Sequence, residues 1–201
     1  MKAIYFTPRF SGFQLAASLT PRNGNNGRGA TGEGTDNLYE LGASYAGKFG
    51  DVGVNIAGTY QDSSDISVGN GTAASHANNV WSVGARLTFG GFTVAAGYED
   101  LNDSGLTAAN TAAGQNAGTI YNVGVGYKTG PWGVSAGYQY GERDISTTDE
   151  ADVASISLAG QYAVAPGWTA MLEYVRYDVD NGDNTAANDR SGVMITNQFV
   201  F

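Results

Sequence analysis

A period-two alternation recurs along nearly the whole chain and constrains it more than any other feature. Residues 79–89, NVWSVGARLTF, put Trp81, Val83, Ala85, Leu87 and Phe89 on one face. Ser82, Gly84, Arg86 and Thr88 take the other. Residues 52–61 set Val52, Val54, Ile56 and Tyr60 against Gly53, Asn55, Ala57, Thr59 and Gln61. Segments 92–99, 121–128 and 132–139 continue the pattern. Successive side chains of a strand point to opposite faces, so this alternation specifies strands with two unlike faces. Helical spacing is found in no window, and the reading contains no helix.

Eleven strands are expected, at 2–7, 13–20, 37–47, 52–61, 79–89, 92–99, 118–128, 132–141, 152–162, 168–177 and 192–201. Their connections alternate in length. Short ones near 8–12, 48–51, 90–91, 129–131 and 163–167 carry Gly and Pro, as tight turns require. Long ones at 21–36, 62–78, 100–117, 142–151 and 178–190 are polar. A hairpin thus repeats about every 40 residues, near the period of a propeller blade. A blade fits four strands into that length, whereas two strands and a long loop are found here.

The faces decide what surrounds the sheet. In a soluble sandwich the face opposite the core would be rich in charge. Here that face is mostly Gly, Ser, Thr, Asn and Ala, and charged residues are only 14% of the chain, against about 25% in an ordinary domain. Strands of about ten residues with alternating short and long connections fit a transmembrane antiparallel up-and-down β-barrel. Closure satisfies every backbone polar group in lipid without a helix. No apolar run is long enough for a membrane helix, and MKAIYFTPRF lacks the apolar run of a signal peptide. A net charge of −9 argues against a nucleic-acid partner, and the absence of Cys excludes disulfides and thiolate chemistry.

Aromatic residues bracket the short turns. Phe89 and Phe92 flank one, Tyr127 and Trp132 the next, and Tyr162 and Trp168 the one after. On the apolar face they form an aromatic girdle at a membrane–water boundary. Tyr60, Tyr98, Tyr121, Tyr138 and Tyr174 suit a second ring near the far strand ends.

The hairpin IYFTPRFSGFQLAASLTP (4–21), the hairpin YNVGVGYKTGPWGVSAGYQY (121–140) and the ending ITNQFVF resemble Gram-negative general diffusion porins of the alphaproteobacterial type. The resemblance implies a passive channel in the bacterial outer membrane, membrane lipid and lipopolysaccharide around it, and a homotrimer. It also implies a terminal assembly signal, here Phe199 and Phe201, read by the outer-membrane assembly machinery. Ile195 and Val193 continue that signal, while Asn197 departs from it. The family has sixteen strands, and single-chain bacterial barrels have an even number. Eleven strands are therefore expected to be the C-terminal portion of a longer barrel, the alternative being a complete barrel of ten or twelve.

Five charged residues fall on the polar face and are expected to line the pore: Glu40, Arg86, Glu99, Lys128 and Glu173, with Lys2 and Arg176 beside them. Wall charges set ion selectivity. Most acidic residues fall in the long connections, among them Glu33, Asp36, Asp65, Asp144, Asp149 and Asp183, with few Arg between them. Such a mouth would enrich cations. Weak Ca²⁺ binding there is the only cofactor entertained. Three motifs do not carry chemistry. Gly133-Val-Ser135-Ala-Gly137 lies in an alternating strand, not at a strand–turn–helix elbow. His76 stands alone, and the acidic run from Asp178 misplaces the glycine of a calcium loop. Function is thus read as passive diffusion of small hydrophilic solutes and ions, without catalysis. The alternative is a filled, non-conducting structural or adhesive barrel whose loops bind partners.

Overall fold

The computed structural model describes residues 2–23, 35–63, 76–182 and 189–200, with the side chains of residues 22, 23, 35 and 36 excepted. It contains eleven strands: β1 (Ala3–Phe6), β2 (Phe13–Asn23), β3 (Thr35–Phe49), β4 (Val52–Asp62), β5 (Asn79–Phe89), β6 (Phe92–Asp100), β7 (Thr119–Thr129), β8 (Trp132–Asp144), β9 (Glu150–Ala165), β10 (Trp168–Asp180) and β11 (Arg190–Phe199). They form one sheet in sequence order, each strand antiparallel to its chain neighbours. This is an up-and-down barrel wall. It is open between β1 and β11, which run in the same direction and are not paired with each other among the described residues.

All five short turns contain two residues and lie at one end of the sheet. Phe89 pairs with Phe92 across Gly90–Gly91, and Thr129 with Trp132 across Gly130–Pro131. Gly91 shows why glycine is needed there. Its φ is +85°, and a Cβ would lie 2.6 Å from the Lys128 carbonyl oxygen. The Gly91 carbonyl in turn accepts the Lys128 N–H at 3.0 Å, tying the turn to the next hairpin.

The other end departs from the expected boundaries. β8 runs to Asp144, β9 starts at Glu150 and β10 ends at Asp180, so the connections expected at 142–151 and 178–190 are shorter. At these ends acidic residues enter the otherwise apolar face while Val153 and Val179 take the other, so the alternation loses its phase while backbone pairing continues. Glu142, Asp152 and Asp180 are direct register partners on three adjacent strands. The connection after β6 also holds a helix that the periodicity did not reveal, α1 (Ala108–Ala112). Its N-cap is Thr107, whose hydroxyl accepts the Asn110 N–H at 3.2 Å. One capped turn has no apolar stripe, so helical spacing has nothing to register.

The sheet has no dry core. None of the described side chains is fully buried, and Leu38 and Ala151 are the only buried hydrophobic residues among them. Val193 remains 67% exposed and Ile195 75%. A soluble sandwich would bury such rows against a second sheet. Here the rows require an apolar solvent.

Candidate functional site

Antiparallel register carries the polar face across the strands as rows. One row runs Asn55, Arg86, Ala95, Gly124, Gly137 and Ser157. The row nearer the short turns runs Thr88, Thr93, Gly126, Ser135, Ala159 and Glu173. Lys128 lies one row further, opposite Gly133, which faces Gln161. Glu99 lies toward the far end opposite Ser82, whose hydroxyl is 2.7 Å from that of Thr59. Glu40 is opposite Ser18 and Gln61. The five charged positions named from sequence therefore occupy one face. They do not form one cluster, because they are spread over five strands and most of the strand length.

Their surroundings differ. Glu40 ion-pairs with Lys2 and accepts the Ser18 hydroxyl. Arg86, Glu99, Lys128 and Glu173 make no side-chain hydrogen bond or ion pair among the described residues. Arg176 is a correction. It pairs in register with Ile156 and Ser191, the row of Tyr138, so it lies on the apolar face. It lies three positions beyond Glu173, and an odd step along a strand changes face. It ion-pairs with Asp189 at 2.9 Å instead. Sequence reading also passed over Arg9. Its guanidinium donates to the Gly12 carbonyl at 2.7 Å and to Gln14 Oε1 at 3.0 Å, and it lines a cavity of about 390 Å³ with Ser44, Asn55, Arg86 and Asn122. Its signal lay in a short turn, outside every alternating segment.

The opposite face carries the aromatic residues in register. At the short-turn end, ring centroids are 5.7 Å apart for Phe89–Phe92, 4.4 Å for Phe92–Tyr127, 4.4 Å for Trp132–Tyr162 and 5.7 Å for Trp168–Phe199. Toward the other end, Tyr98 contacts Trp81 and Tyr121, each at 4.9 Å. Asn197, which interrupts the apolar pattern of the last strand, accepts the Trp168 indole N–H at 3.2 Å. Phe201 lies outside the described residues, as do Glu33, Asp65, Asp183 and the side chain of Asp36. Ser135 sits in mid-strand between Gly126 and Ala159 in register, with no nucleophile elbow. His76 joins its loop through the backbone, donating to the Leu106 carbonyl and accepting from Gly105. Among the described residues, no group of three His, Cys, Asp or Glu is placed to hold a metal ion.

An unburied up-and-down sheet, apolar and aromatic on one face and hydrophilic on the other, meets a sequence match: a profile of Gram-negative porins fits residues 1–182. The chain belongs to the Gram-negative porin family. The matched stretch ends before β11. Family membership and the outer-membrane proteins of like fold locate this porin in the bacterial outer membrane. A search of curated proteins by sequence finds no match. Among solved structures, an anion-selective porin from Comamonas acidovorans has a TM-score of 0.68 at 12% identity, over 98% of this chain and 58% of that one. OccAB4 of Acinetobacter baumannii has 0.66 at 11%, over 98% and 52%. A loop-deletion mutant of OmpT, an outer membrane protein of Vibrio cholerae, has 0.60 at 19%, over 98% and 62%. These likenesses establish the barrel fold. The chain spans between half and two thirds of the length of each.

Proposed function

We propose that this porin walls a water-filled channel through which small hydrophilic solutes and ions diffuse passively, with a preference for cations. One observation carries the reading: from β4 to β9 the face bearing Arg86, Glu99 and Lys128 is built mostly of Gly, Ala, Ser, Thr, Asn and Gln, with larger apolar side chains such as Met171 and Met194 collected beside Glu173 on the last strands. Small side chains leave a bore open, whereas a filled barrel needs bulky ones meeting at its centre. Transport of this kind requires no chemical step. Glu40, Arg86, Glu99, Lys128 and Glu173 are then wall charges acting on passing ions. The net charge of −9 favours cations at the mouth.

In this arrangement the girdle of Phe89, Phe92, Tyr127, Trp132, Tyr162 and Trp168 sits at the periplasmic interface, where the short turns lie. Lipid and lipopolysaccharide surround the barrel, and Phe199 with Phe201 serves the assembly machinery. The family resemblance supports a trimer. Single-channel recording of the intact protein in planar bilayers tests the proposal. Stepwise ion conductance is expected, with a reversal potential displaced toward cation selectivity in a salt gradient. Insertion without conducting steps would overturn the channel reading, and steps with an anion-selective reversal potential would overturn the cation preference.

A further inference from the structure

Two opposite charges on the polar face share a hollow without pairing. Lys128 on β7 and Glu173 on β10 line one cavity of about 270 Å³. Its floor is made by Gly126, Gly133 and Ala159, whose register rows run directly between the two charged residues. Gly133 keeps the floor low, because a Cβ there would meet Gln161 at 2.8 Å. Elsewhere among the described residues, Lys2 has closed on Glu40 and Arg176 on Asp189. Lys128 and Glu173 stand three strand spacings and one register row apart, about 16 Å at the backbone in a flat sheet. Neither side chain has an ion-pair partner among the described residues.

We propose that this hollow is a binding site for a small zwitterionic solute, of the amino-acid or short-peptide class, with its carboxylate toward Lys128 and its ammonium toward Glu173. The argument is one of charge balance. A simple anion is drawn by Lys128 and repelled by Glu173, and a simple cation the reverse. Only a solute carrying both charges gains from both groups. Gln161 and Ser135 supply neutral hydrogen-bonding groups along the floor, and Met171 and Met194 give one apolar flank for a side chain. Two partly solvated charges give weak, reversible retention, which raises local solute concentration on the wall without blocking flow.

The inference rests on the channel reading, and one experiment separates the two. Single-channel currents of the intact protein are recorded while glycylglycine is added, with neutral N-acetylglycinamide as the size control. Glycylglycine is expected to reduce the current or add noise to it saturably, and the neutral compound to have no such effect. K128Q and E173Q should each raise the half-effective concentration roughly fivefold, with the presence of conducting steps, whatever their size, certifying that each variant has folded. The double variant should add little to either single one, since one solute needs both ends held. Conducting steps with no saturable effect, an equal effect of the neutral compound, or variants that respond as the wild type does would overturn this site while leaving the channel intact. Absence of steps altogether would overturn the channel reading and this site with it.

Discussion

The two ends of the barrel wall are built on different rules. At the short-turn end, five two-residue turns, their glycines and a row of paired aromatic rings leave little freedom. At the other end, strands of unequal length run into polar connections held by side-chain amides and hydroxyls. Asn102 Nδ2 donates to the Asn79 carbonyl at 3.0 Å, and the Asn79 N–H donates to Ser104 Oγ at 2.8 Å. Gln115 reaches the Ile145 carbonyl at 2.9 Å, and Asn116 pairs with Asp144. Steric necessity and membrane chemistry specify the first end. Local hydrogen bonding in water specifies the second, where many sequences would serve.

The largest effect should come from testing which face meets lipid. Leu158 and Ser157 are neighbours on β9 with opposite parity. Leu158→Arg is expected to cost about 2–4 kcal/mol of folding free energy in bilayers, the usual penalty for Arg facing the membrane mid-depth. Ser157→Arg should cost far less. Reversible urea unfolding in vesicles measures both, and equal costs would break the distinction between the faces. The short-turn end comes next. Gly91→Val places a branched side chain at φ +85° against the Lys128 carbonyl, with an expected cost of about 2 kcal/mol. Gly160→Ala, where a Cβ meets nothing within 4 Å, should stay within about 0.5 kcal/mol. The yield of heat-modifiable folded barrel distinguishes the pair.

A smaller effect is expected where the last two strands join. Trp168→Phe removes the indole donor to Asn197 and should cost about 1 kcal/mol. Asn197→Ala should cost a similar amount, and the double variant little more. Additive losses would mean that the bond contributes nothing. The smallest belongs to the far end. Asn102→Ala should change global stability by about 0.5 kcal/mol or less, while amide hydrogen exchange quickens across residues 101–118. Exchange that stays unchanged there would show the loop to be held by something other than these amides.

This contrast also explains what could be read from the chain. Period-two alternation places every strand because the membrane requires unlike faces along its whole depth. It locates Trp81 through Phe89 residue by residue. Past Tyr140 it fades, since water accepts either face. β8 and β10 therefore continue past the ends that alternation marks, and α1, a single turn capped by Thr107, has no periodic trace. The rows of the polar face follow from parity alone, which also sets Arg176 on the face opposite Glu173. What parity could not supply was register. Only strand pairing brings Lys128 of β7 and Glu173 of β10 to one hollow, and only geometry assigns Asn197 a partner in Trp168.

The lack of any fully buried side chain among the described residues has a consequence in water. A chain with nothing to collapse around gains little by closing up in water, and its Val and Leu rows would seek other copies of themselves there. The wall is a shape that apolar surroundings complete, and water alone does not hold it.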